Sequence, residues 1–144
     1  MPQSIHLILL PHLLMIGYFD PKDGRPRVML KIRGTQKEKQ TSALFDTGHS
    51  GTLSLPFLDL LEIGAELKGI SGVKYADGRT GIEYLFSIKV ELNGIVKEIK
   101  AALIPNPYIK EAIAGVELFS PFVVLLDFKN KQIALKKEEE LRQG

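Results

Sequence analysis

Apolar residues recur in this chain with a period of two, and that rhythm limits its fold more than any other feature. Val28, Leu30 and Ile32 alternate with Arg27, Met29, Lys31 and Arg33, as in a strand with one face in a core and the other toward water. Comparable runs follow at Ser42 to Phe45, Thr52 to Leu55, Gly69 to Ala76, Glu83 to Leu92, Ile95 to Ile104, Phe122 to Phe128 and Gln132 to Leu135. Short strands at such intervals predict an all-β domain. Asn93 and Gly94, between two of the runs, suit the positive φ angles of a tight hairpin turn, and Asp77 and Gly78 are expected to do the same for an earlier hairpin. Helical pattern is sparse. Pro56 can open a short helix through Phe57, Leu60 and Leu61, and Glu117 to Phe119 allows one more turn.

With 144 residues, 44% of them hydrophobic and 25% charged, the chain has enough surface to bury one core and too little for two complete domains. Its 19 basic and 17 acidic residues leave a formal charge of +2, which gives no reason to expect a nucleic acid or an anionic membrane as partner. Seven basic residues lie between Lys22 and Lys39, but the alternation assigns them to the solvent face of a strand. Cysteine is absent, so disulfides, thiolate metal sites and a cysteine nucleophile are excluded. His6, His12 and His49 lack metal-ligand spacing and there is no phosphate-binding glycine loop, so neither a metal nor a cofactor is expected.

The apolar stretch from Ile5 to Phe19 is interrupted by His6, Pro11 and His12 and is shorter than the roughly 20 residues that span a bilayer. It has neither the basic start nor the small-residue cleavage site of an export signal, so the expected location is cytoplasmic. Residues 1–16 read as an apolar extension, either an arm packed on the domain or a segment ahead of a start at Met15. Residues 17–136 read as the domain, and 137–144 as a charged, solvated tail that continues the run from Lys136 to Glu140.

The segment from Ala43 to Pro56, ALFDTGHSGTLSLP, carries the chemistry. An apolar strand delivers Asp46 into a turn of Thr47 and Gly48, and a second apolar run follows at once. A carboxylate at the end of such a strand is costly to bury unless it is hydrogen-bonded or paired, which marks it as a candidate functional group. Thr47 offers a hydroxyl to fix the turn, and Gly48, without a Cβ, lets another backbone or a substrate come close. An ordinary β-turn would use the same residue types.

Well downstream, AIAGVELFSPFVVLLDFKNKQIAL, from Ala112 to Leu135, reads as two apolar residues and a glycine, a short helical turn, a strand ending at Asp127 and Phe128, and a final strand. Taken with the Asp46 segment, this order resembles the retropepsin fold of the clan AA aspartic proteases, the group that includes the retroviral enzymes. GYFD at 17–20, with a bulky residue after DTG, further resembles a small prokaryotic branch of that clan. The resemblance implies a single-lobe closed β-barrel that acts as a C2 homodimer and hydrolyses peptide bonds. It makes Asp46 the catalytic residue, supported by Thr47, Gly48, Ile113, Ala114 and Gly115. A flap hairpin would map onto Gly69 to Glu83, with Tyr75, Ala76, Asp77 and Gly78 near its tip. Those four residues and His49 are the implied substrate contacts, although Asp77 also fits a plain turn role and His49 a plain wall-filling one.

By the same resemblance, one chain of this length supplies one carboxylate of a pair, and its partner is a second copy. Two Asp46 carboxylates facing across a twofold axis would share one proton, so that one activates water while the other donates to the carbonyl oxygen. The two Thr47 hydroxyls would interlock across the axis and hold the carboxylates coplanar. Two departures from the retroviral pattern stand out. His49 replaces the usual small residue, where it would reshape a pocket and add a pH-dependent term. Val116 and Ser50 occupy the positions of an Arg and Asp pair, and since both partners are replaced neither charge is stranded. Two other functions remain open at this point: a peptide-binding or regulatory module that cleaves nothing, and an unrelated β-barrel interaction domain in which DTG is an ordinary turn.

Overall fold

The computed structural model describes residues 13–136; the first twelve residues and the tail at 137–144 lie outside it. Ten strands form one sheet: β1 (Leu13–Phe19), β2 (Pro26–Arg33), β3 (Glu38–Phe45), β4 (Leu53–Leu55), β5 (Glu66–Lys74), β6 (Thr80–Leu92), β7 (Ile95–Leu103), β8 (Ala112–Ala114), β9 (Val123–Asp127) and β10 (Gln132–Lys136). Among the described residues, one α-helix, α1 (Phe57–Ile63), and a 3-10 turn at Val116–Phe119 accompany the strands. The strand order is β5-β6-β7-β4-β8-β3-β2-β1-β10-β9, and an extra pairing of β6 with β2 closes β2, β3, β8, β4, β7 and β6 into a six-stranded barrel. β5 extends from the barrel as the partner of β6, while β1, β10 and β9 continue the sheet beyond β2.

The alternation in β2 is realised: Val28, Leu30 and Ile32 are buried while Met29 and Arg33 are exposed. Core partners come from every barrel strand, among them Ala43 and Phe45 of β3, Leu53 and Leu55 of β4, Val90 of β6, Ala101 of β7, and Ala112 and Ala114 of β8. Leu60 and Ile63 turn one side of α1 into the same core. Lys39 of β3 fastens that helix from outside, its ammonium 2.7 Å from the buried Asp59 carboxylate and 3.3 Å from Glu62. These hydrogen bonds raise the Lys39 pKa and lower that of Glu62, the partner's opposite charge favouring the ionised form in each case.

Several expectations need adjustment. β1 starts at Leu13 and crosses the boundary placed after residue 16, with Ile16 in the core and Leu13 and Leu14 opposite Lys136 and Leu135 of β10. Its alternation is broken by a register shift between Met15 and Gly17 in the pairing with β10. β8 is a three-residue strand that periodicity could not reveal; it runs parallel to β3 and antiparallel to β4. Asn93 and Gly94 both take positive φ, 44° and 91°, as expected, but at the earlier turn Gly78 alone does so, at 89°. There a four-residue turn spans Tyr75 to Gly78, and its last residue, Gly78, takes the left-handed conformation.

Arg27 also departs from the solvent-facing role given to its strand face. Its side chain is only 12% exposed and lies among Asp20, Asp23 and Glu111. It donates to Asp23 at 3.0 and 2.9 Å, to Asp20 at 3.2 Å, and to both Glu111 oxygens. The paired guanidinium holds the Asp23 carboxyl down at about 2 and pushes its own pKa up. This arginine therefore joins the β1–β2 turn to the residue just before β8.

Candidate active site

Asp46 leaves the end of β3 at a place where the barrel changes from parallel to antiparallel pairing. β3 lies along β8 through Ala43–Ala112, Leu44–Ile113 and Phe45–Ala114, and β8 lies along β4 through Leu53–Ala114 and Ser54–Ile113. The two strands that flank the DTG turn are thus held apart by a third strand between them. The Asp46 N–H continues the ladder by donating to the Ala114 carbonyl at 3.0 Å. From there the Asp46 carbonyl accepts from the His49 N–H at 3.1 Å, and its Oδ1 accepts from the Gly48 N–H at 2.9 Å.

The carboxylate itself, rather than the Thr47 hydroxyl, closes the turn. Thr47 is exposed and its hydroxyl makes no hydrogen bond among the described residues. A Cβ at Gly48 would lie 3.3 Å from Asp46 Oδ1, crowding the oxygen that the turn presents.

The far side of the turn is seated on the segment after β8. Gly115, Val116 and Glu117 donate their N–H groups to the carbonyls of Thr52 (2.8 Å), His49 (3.0 Å) and Gly51 (3.2 Å). Only glycine fits at 115, where a Cβ would come within 2.2 Å of the Gly51 carbonyl oxygen and 2.7 Å of the His49 ring. Ile113, Ala114 and Gly115 lie against the DTG turn and its flanking strands: Ile113 by pairing, Ala114 by its carbonyl and Gly115 by the close approach of backbone. Lys97 braces the 3-10 turn that follows, its ammonium donating to the Leu118 carbonyl at 2.8 Å and lying 5.7 Å from the centre of the Phe122 ring. Burial lowers the pKa of that ammonium.

A cleft of ≈ 460 Å³ opens between the DTG-proximal turn and the β5–β6 hairpin. His49 lines it, with Nε2 3.1 Å from Ser54 Oγ, so its ring is hydrogen-bonded to a side chain and packed over Gly115. Of the four flap-tip candidates, Tyr75 and Ala76 line the cleft. Asp77 and Gly78 lie at the tip outside that lining; the Asp77 carboxylate accepts from the Arg79 N–H at 3.0 Å and Nε at 2.6 Å, which is a turn-forming role. Asp127 likewise closes the β9–β10 turn by accepting from Asn130.

Sequence reasoning missed several polar residues of the cleft, among them Ser54, Lys74, Glu83 and Lys100. Strand alternation places each on one face of its strand, but which face looks into the cleft depends on pairings between segments far apart in the chain. Among the described residues no group of three His, Asp or Glu side chains could hold a metal ion, and no helix is long and apolar enough to cross a membrane.

No protein-family model matches the sequence, and no curated protein matches it either. Among solved structures the chain is similar to a retropepsin-like aspartic protease from Rickettsia conorii. The two are 16% identical, the match covers 85% of this chain and 90% of that one, and the TM-score is 0.59. At such low identity the likeness speaks for architecture, and together with the closed six-stranded barrel it establishes that this chain has a retropepsin-like fold.

Proposed function

We propose that the chain is an aspartic-type endopeptidase that works as a homodimer, with Asp46 as its catalytic residue. The observation that carries this reading is the seating of Asp46. Its backbone is bound into the barrel at Ala114, its Oδ1 is oriented by the Gly48 N–H, and it stands in a turn beside a cleft roofed by a hairpin. The similar protein from Rickettsia conorii is an aspartic protease, which supports the same activity class at the level of fold.

A second copy supplies the second carboxylate. With the twofold axis between the two DTG turns, the Asp46 side chains share one proton. The ionised carboxylate takes a proton from water as the water attacks the peptide carbonyl, and the protonated one donates to the carbonyl oxygen. The exposed Thr47 hydroxyl, without a partner inside its own chain among the described residues, is available to bond across the axis and hold the pair in register. Rigid positioning is what this chemistry needs, since a displacement of about 1 Å can cost about a hundredfold in rate. Extended peptide lies between the DTG-proximal turn and the inner face of the β5–β6 hairpin, bound by backbone hydrogen bonds, and the hairpin excludes water as it closes.

The test compares wild type with Asp46→Asn on a peptide library at acidic and neutral pH, alongside sedimentation. The expected outcome is a dimer whose cleavage falls at least about a hundredfold in the variant, as removal of a general acid or base requires. Peptide binding without cleavage in both proteins would replace the proposal with a non-catalytic module, and a strict monomer would remove the shared dyad.

A further inference from the structure

Lys100 and Glu83, two of the cleft residues invisible to sequence reasoning, carry charges with no ion-pair partner among the described residues. Lys74, in the same lining, likewise has no ion-pair partner among the described residues. Pairing registers place these charges along the groove, with Lys74 opposite Thr80 at the tip. Leu85 of β6 lies opposite Ala102 of β7 at its centre. Glu83 is two residues nearer the hairpin tip, while Lys100, opposite Ser87, is two residues toward the root.

Lys100 faces the cleft because its neighbours Ile99 and Ala101 point into the barrel core. Its backbone is fixed to the segment after DTG by the Thr52 hydroxyl, which donates to the Lys100 carbonyl at 3.0 Å. The imidazole of His49 adds a further basic group to the same lining. The lining therefore holds Lys74 and Glu83 toward the tip and Lys100 at the root, where no carboxylate lines the cleft, with Val73, Leu85 and Ala102 as apolar wall between.

We propose that this cleft selects peptides bearing an acidic side chain, seated on the Lys100 ammonium. The inference rests on the endopeptidase reading for its cleaved bond, and two copies related by a twofold axis would extend the preference to both sides of that bond. An acidic substrate side chain gains an ion pair at the root, a neutral one is tolerated, and a cationic one meets like charge. An ion pair of this partly exposed kind is worth a factor of about five in binding, weakening as salt rises.

The test uses matched peptides with Glu, Gln or Lys at each position flanking the cleaved bond. For wild type, the Glu peptide should have a KM about fivefold below that of Gln at the responsive positions, with kcat nearly unchanged, because the contact is equal in ground and transition states. Lys100→Gln should erase the preference, and Lys100→Glu should reverse it in favour of Lys. Equal KM for all three peptides, or an order unaltered by Lys100→Glu, would overturn the proposal. Fluorescence anisotropy of the same labelled peptides on Asp46→Asn separates it from the parent reading. Binding that favours Glu over Lys while wild type cleaves nothing would retain the cleft preference and remove the peptidase; binding without that preference would overturn the cleft proposal itself.

Discussion

The DTG turn and the flap tip are both glycine turns between strands, yet they are held in opposite ways. Asp46 to Gly51 is bonded to remote chain: Ala114, Gly115, Val116 and Glu117 each close a backbone hydrogen bond onto the turn or its approach. The flap tip from Tyr75 to Arg79 is closed by local bonds, Tyr75 N–H to the Arg79 carbonyl and Gly78 N–H to the Tyr75 carbonyl, and its residues are exposed. A turn built into the barrel moves only if the barrel yields, whereas a turn that bonds chiefly to itself can move as a unit at small cost. The difference separates the two tasks the proposed function assigns them: holding a reactive oxygen still, and admitting a chain.

The comparison is broken most severely at Gly115. In Gly115→Ala the new methyl would meet backbone and imidazole at once, so urea denaturation should report a loss of about 3 kcal/mol or more, and any cleavage activity should vanish with it. A smaller effect, with a pH signature, is expected at Arg27, the outer fastening of the fixed region. Arg27→Gln should lower the urea midpoint at neutral pH. Because the Asp23 carboxyl is held at about 2, below its ordinary 3.8, its pairing contributes above about pH 4 and fades as pH falls toward 2. The gap between variant and wild type should therefore narrow over that interval; a gap constant with pH would show that the ion pairs are not its cause. The smallest effect is expected at the flap. Gly78→Ala adds a methyl with nothing within 4 Å, so only the positive φ resists it, at about 1 kcal/mol. Urea denaturation should report a loss of no more than about 1 kcal/mol, while hydrogen exchange at the tip and KM for peptide should respond.

Much of the fixed region was legible in the chain because its signals are local. Val28, Leu30 and Ile32 announced their strand by alternation, Pro56 announced a helix start, and Asp46, Thr47 and Gly48 stood between two apolar runs that proved to be β3 and β4. What escaped was nonlocal. Arg27 meets Glu111 across 84 positions of sequence, so nothing near Arg27 betrayed that it would leave solvent for a cluster of carboxylates. β8 is too short for periodicity and is defined only by the strands on either side of it. Lys100 and Glu83 looked like ordinary exposed charges of their strands until the pairing of β6 with β7 and the position of the His49–Ser54 segment gave them a shared groove. Ser54 as a partner for His49 was hidden for a different reason: a turn had to fold the chain back before the two could meet.

The wedge formed by β8 has a consequence for biosynthesis. The aspartate emerges from the ribosome long before Ala112 to Gly115, so a nascent or truncated chain carries the reactive group without the seat that aims it. Cutting power of the proposed kind would arise only once the chain through Gly115 has been made and has folded against the turn.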